Sequence, residues 1–269
     1  MNRRIYSMTL PVLIGLVLSV TIARAQDQSR EFHWSGKLAA EQIVEVKGVN
    51  GDIDAEGTGG DQVEVTAEKS GPRADEVEIK VVPNEHGVTI CAIYPGGIFG
   101  GHSGPCEAGT QWHTSNIHGN ETKIHFTVHM PKNLRFSGQN VNGSLNAKAM
   151  GRVVRAVTVN GAIRVSTTAW AEAETVNGSI EASMGTANWT NTLKFESVNG
   201  SIELRMPDDL SAEVNFETVN GRISSDFPIT ISGGFVGHSA HGRVGSGGRE
   251  LVVKTVNGSV GLKKAGGEI

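Results

Sequence analysis

The triplet Val-Asn-Gly recurs seven times along this chain, and that repetition narrows its possible folds more than any other feature. Copies stand at Val49-Asn50-Gly51, Val141-Asn142-Gly143, Val159-Asn160-Gly161, Val176-Asn177-Gly178, Val198-Asn199-Gly200, Val219-Asn220-Gly221 and Val256-Asn257-Gly258. From Asn142 onward the Asn-to-Asn steps are 18, 17, 22, 21 and 37 residues. A degenerate copy, Ala240-His241-Gly242-Arg243-Val244, divides the last step into 21 and 16. Self-similarity at a short period is the signature of a solenoid, in which each copy stacks on its neighbour.

Aligned on Asn, the copies alternate. Four residues before it stand Ala156, Ala173, Phe195, Phe216 and Val253, all apolar. Three before stand Gln139, Glu174, Glu196, Glu217 and Lys254, with Val157 the exception, and two before come Thr158, Thr175, Ser197, Thr218 and Thr255. Three after Asn the residue is always aliphatic (Leu145, Ile163, Ile180, Ile202, Ile223, Val260), and five after it is Ala147, Val165, Ala182, Leu204 or Leu262. Such alternation describes strands with one buried face. The parity does not carry across Val-Asn-Gly, so the chain bends there, and Asn and Gly tolerate the left-handed backbone angles that suit a corner. Asn-Gly is also a hairpin signal, but steps of 16–22 residues favour one rung per copy. Successive rungs would rise by about 4.8 Å, the ordinary strand spacing, and stacked corner asparagines could form an amide ladder.

The repeated Thr-Val-Asn-Gly-Ser-Ile unit, with the lead-ins Val128-His129-Met130-Pro131-Lys132-Asn133-Leu134 and Leu204-Arg205-Met206-Pro207-Asp208-Asp209-Leu210, resembles the adhesin-type domain family of unknown function DUF4097. The likeness spans Glu41 to Leu262. It implies an all-β right-handed parallel β-helix, or β-solenoid, and brings no functional residues with it.

The N-terminus points to export. Arg3 and Arg4 precede an apolar run from Leu10 to Ile22, and Ala23-Arg24-Ala25 is a small-x-small cleavage pattern, so residues 1–25 read as a signal peptide. The run falls short of the ~20 residues that span a bilayer, and no later stretch is apolar enough to cross one. Cleavage shifts the net charge from −4 to −7, with 21 basic residues against 28 acidic. A mildly acidic chain without a basic run has no electrostatic footprint for nucleic acid. The remaining chain divides into a strand-rich part, 26–130, and the repeat solenoid, 131–269. In the oxidising periplasm or outside the cell, the only two cysteines, Cys91 and Cys106, are expected to form a disulfide. That bond ties a Gly- and His-rich loop, 95–120, that lacks periodicity. Long loops in compact domains are commonly functional, so His102, Trp112, His113 and His118 make this loop the first candidate recognition surface.

Chemistry is sparse. His86, His102, His113, His118, His125 and His129 cluster in one stretch, but no metal-ligand spacing appears, and His113 and His118 are only weak metal candidates. Gly101-His102-Ser103-Gly104-Pro105 and Gly237-His238-Ser239-Ala240-His241 lack the final glycine and the strand-turn-helix setting of a nucleophilic serine. Glu174, Glu196 and Glu217 share one repeat position and would stack as a column of like charge. No cofactor is expected. The leading function is a non-catalytic envelope or surface protein binding a glycan, an envelope component or another envelope protein. The alternatives are a polysaccharide-active enzyme and a periplasmic metal-binding protein.

Overall fold

Two stacks of strands face one another across a single apolar core. The computed structural model describes residues 30–95, 102–112, 114–115, 121–231 and 239–266; residues 1–25, which the sequence suggests are a signal peptide, lie outside them. Apart from a 3-10 turn at Ala74–Glu76, every regular element among these residues is a strand. Eleven strands form one sheet, ten form the other, and a two-stranded ribbon joins His102–Ser103 to Thr114–Ser115. The chain is the parallel β-solenoid that the repeat predicts.

A rung is one strand of the eleven-stranded sheet leading into a Val-Asn-Gly corner and one strand of the ten-stranded sheet leaving it. Ala171–Asn177 with Ile180–Met184 is one rung, and Leu193–Asn199 with Ile202–Met206 lies beside it in parallel, with Ala173 opposite Phe195 and Ile180 opposite Ile202. The apolar positions of both strands point inward and are buried.

Each residue of the corner has a separate task. A Cβ on Gly161, Gly178, Gly200 or Gly221 would lie 1.9–2.0 Å from the carbonyl oxygen of the corner glycine on the adjacent rung. Only glycine lets the backbones approach this closely. Left-handed geometry is not the general reason: only Gly51 and Gly143 have φ in that region, at 110° and 144°, and no corner asparagine does. The Thr or Ser two before Asn is buried and donates to the same glycine carbonyl, as from Thr175 Oγ1 to Gly161 O at 3.1 Å and from Ser197 Oγ to Gly178 O at 3.0 Å. Asn140 takes this role on its rung, donating from Nδ2 to Gly51 O at 2.6 Å. Asparagine amides then link rung to rung at 2.7–2.8 Å along the order Asn50, Asn142, Asn160, Asn177, Asn199, Asn257, Asn220.

That order departs from the order of the chain. The rung Arg249–Asn257 and Val260–Lys264 is inserted between the Leu193–Met206 rung and the rung of Ala212–Asn220 and Ile223–Ser225. At the other end, Ile43–Lys47 with Ile53–Thr58 lies between the Gly87–Ile93/Lys123–Pro131 rung and the Arg135–Gln139/Leu145–Met150 rung. Insertion places Val253 between Phe195 and Phe216 in one buried column, a smaller side chain between two large ones. Antiparallel strands close both ends. Val63–Ser70 pairs with Lys123–Pro131 and Glu31–Gly36 adds outside Val63–Ser70, while Glu78–Asn84 flanks Gly87–Ile93. Ser239–Val244 covers Ala212–Asn220, followed by Thr230–Ile231. The segment Ala240–Val244, which the sequence suggests is a degenerate corner, is therefore a cap strand: it pairs antiparallel and shields an open sheet edge.

If rung contact is the governing constraint, Gly178→Ala destabilises by about 3 kcal/mol through overpacking. Asn177→Ala, which removes two ladder hydrogen bonds at an exposed corner, costs about 1–2 kcal/mol. Urea unfolding of both variants ranks them, and the reverse ranking would refute the assignment.

Candidate functional site

The outward row three residues before the corner asparagines carries the chemistry of this solenoid. In spatial order it reads Lys47, Gln139, Val157, Glu174, Glu196, Lys254, Glu217. The expected column of three glutamates is thus interrupted: the inserted rung places Lys254 between Glu196 and Glu217, with its Nζ 3.1 Å from Glu217 Oε2.

One end of this row is covered by the disulfide-tied segment. Cys106 is bonded to Cys91, which is paired with Lys47 on the adjacent strand. From there the segment crosses the rungs. Lys47 Nζ donates to Glu107 O at 2.6 Å, Thr110 O at 2.9 Å and Thr110 Oγ1 at 3.1 Å. One rung further on, Gln139 Nε2 donates to Thr110 O at 3.1 Å and Gln139 Oε1 accepts from Trp112 N at 2.9 Å. Glu45 accepts from Thr89, Gly109 and Gln139 and lies 3.6 Å from Lys47 Nζ. Lys47 is fully buried, and its pKa is pulled down by desolvation against the raising effect of Glu45. The charges are held by complete hydrogen bonding.

This network turns the segment Cys106–Trp112 into a lid clamped on the sheet. Trp112 is half-buried and packs against the core with its ring 6.0 Å from Lys47 Nζ. His102 lies on the short ribbon, while His113 and His118 lie outside the described residues. His125 and His129 stand on the opposite sheet beside Asp54 and Glu56, at 3.3 Å and 3.9 Å. Among the described residues no three His, Cys, Asp or Glu side chains come together as a metal cluster.

Beyond the lid the row lies open as a groove of about 780 Å³. One wall is the Glu174–Glu217 row. The buried Thr and Ser hydroxyls form the floor. The other wall is the valine of each corner: Val159 (38% exposed), Val176, Val198 and Val256 (40% each) and Val219 (59%) are the exposed large hydrophobic residues among those described. Toward the lid the stripe ends, with Val141 half-buried and Val49 fully buried. Sequence alignment alone did not single out these valines, although the parity that sends Phe195 in and Glu196 out also sends Ser197 in and Val198 out. A smaller concavity of about 380 Å³ on the lid's other flank is lined by Gly109, Phe136, Arg155, Trp170 and Glu172, and burial raises the Glu172 pKa.

The family profile Toastrack DUF4097 matches residues 20–263, nearly the whole chain. The chain belongs to this family. Among solved structures, the Toastrack chain is similar to a "putative cell adhesion protein" from Clostridium sporogenes at 11% identity, covering 87% of this chain and 100% of that one, with a TM-score of 0.50. A "putative adhesin" from Bacteroides fragilis is 12% identical over 87% of this chain and 97% of that one, with a TM-score of 0.39. No curated protein sequence matches. At these identities the likeness concerns the fold alone.

Within this Toastrack domain, Lys47→Met strands the Glu45 carboxylate and lowers unfolding free energy by about 3 kcal/mol. Adding Glu45→Gln restores part of that loss. A double-mutant cycle in urea checks it, and additive losses would mean the two side chains act independently.

Proposed function

We propose that this chain is a non-catalytic, exported envelope-surface module that binds its partner along the valine groove. The observation that carries this reading is the apolar stripe itself: five corner valines, aligned rung after rung, remain exposed beside charged side chains. Contiguous apolar exposure of this kind marks interaction surfaces. Repetition suits it to an extended partner, because a solenoid offers the same contact on each rung. Support also comes from the adhesion role named for the Clostridium sporogenes structure, from the disulfide, which suits an oxidising compartment, and from the signal-type N-terminus.

Full burial of a valine contributes about 1.5–3 kcal/mol, so covering three that are already half-buried contributes roughly 2 kcal/mol, or about thirtyfold in affinity. The test is binding of the purified, oxidised protein to isolated envelope fractions and defined polysaccharides, with polysaccharide breakdown followed in the same tubes. Val176→Thr/Val198→Thr/Val256→Thr keeps the β-branched shape and is expected to weaken saturable binding about thirtyfold without turnover. Binding indifferent to the triple substitution would remove the groove from the function, and polysaccharide turnover would overturn the non-catalytic assignment.

A further inference from the structure

The chain's own lid shows how this row of side chains handles a polypeptide. Passing from Cys106 to Trp112, the segment moves from the rung of Cys91 to that of Lys47 and then to that of Gln139. It therefore runs along the solenoid axis, across the strands. The row grips its main chain: Glu107 O and Thr110 O at Lys47, then Thr110 O and Trp112 N at Gln139. The open groove continues the same row over the next rungs.

What changes along the row is charge. Lys47 and Gln139 give way to Glu174 and Glu196, side by side on adjacent rungs. Among the described residues neither glutamate has a lysine or arginine within ion-pair distance, whereas Glu217 has Lys254. The floor hydroxyls of Thr175 and Ser197 already donate their protons to glycine carbonyls. Around Glu174 and Glu196 the groove thus presents acceptors on one wall and methyl groups on the other, with Lys254, paired to Glu217, and His241 further along it. A complementary occupant brings N–H donors, positive charge and apolar side chains. Among the described residues that line it, no Trp, Tyr or Phe offers the stacking face that would favour a sugar ring, and His241 is the one ring.

We infer that the groove binds an extended, basic polypeptide segment laid along the solenoid axis, a Lys or Arg side chain on Glu174 and Glu196 and apolar side chains on Val176 and Val198. This rests on the groove being the binding surface and adds the chemical class of the occupant. Glu174 and Glu196 stand one strand spacing of about 4.8 Å apart, while three extended residues span about 10 Å, so one Lys or Arg of the segment serves both carboxylates.

The probe is a fluorescein-labelled (Lys-Val-Thr)4 peptide, read by anisotropy against the oxidised protein. The controls are (Glu-Val-Thr)4, (Lys-Ser-Thr)4 and a chitosan hexamer. (Lys-Val-Thr)4 is expected to bind best, and Glu174→Gln/Glu196→Gln to weaken it at least tenfold. Glu181→Gln/Glu203→Gln, a glutamate pair on adjacent rungs of the opposite sheet, each beside an arginine, is expected to leave binding within twofold. Equal loss from both pairs would reduce the effect to general electrostatics and overturn the inference, as would equal binding of (Glu-Val-Thr)4. Groove-dependent binding of chitosan or envelope material, with no peptide bound, would overturn the polypeptide assignment while leaving the groove as the binding surface.

Discussion

The contact on which this structure depends is that of one glycine against the carbonyl of the glycine on the next rung. With a Cβ there, the two backbones would overlap at about 2 Å. Without one, the corners close to strand spacing and three further interactions come within reach. The Thr or Ser hydroxyl meets the glycine carbonyl, the asparagine amides meet each other, and the aliphatic residues after the corner meet in the core. The valine is what remains. Alternation turns it outward at a point where the corner has no further layer to cover it, so the geometry that builds the stack also builds its apolar stripe.

Nearly all of that repeat was legible in the sequence. Apolar, polar and small positions around each Asn fall on the faces that alternation assigns to them, because every rung meets an almost identical neighbour. The same uniformity hid the rung order. Asn199 can stack on Asn257 as well as on Asn220, since the ladder amide is the same in each case, and nothing local distinguishes a neighbour 21 residues away from one 58 away. Hence the glutamate column looked continuous when Lys254 interrupts it, and Ala240–Val244 looked like a corner when it caps an edge.

The disulfide-tied loop eluded sequence reasoning for another reason. Glu45 and Lys47 occupy outward positions, where alternation alone would leave their charges in solvent. Only the tertiary path of Glu107–Trp112 buries them, and that path has no periodicity to betray it. A charged pair sealed by main-chain carbonyls makes the lid a fixed part of the sheet surface. It also sets where the exposed groove begins, at the rung after Gln139.

The inserted rungs have a consequence for how the chain reaches its native state. The Ala212–Ser225 rung makes its parallel pairings with residues 249–264, which follow it in the sequence, and none with the rung that precedes it. A polypeptide emerging from its N-terminus therefore cannot wind up turn by turn as it appears. The last turn must slip into a slot, or the two must dock together as a preformed unit. Such long-range closure makes for slow folding.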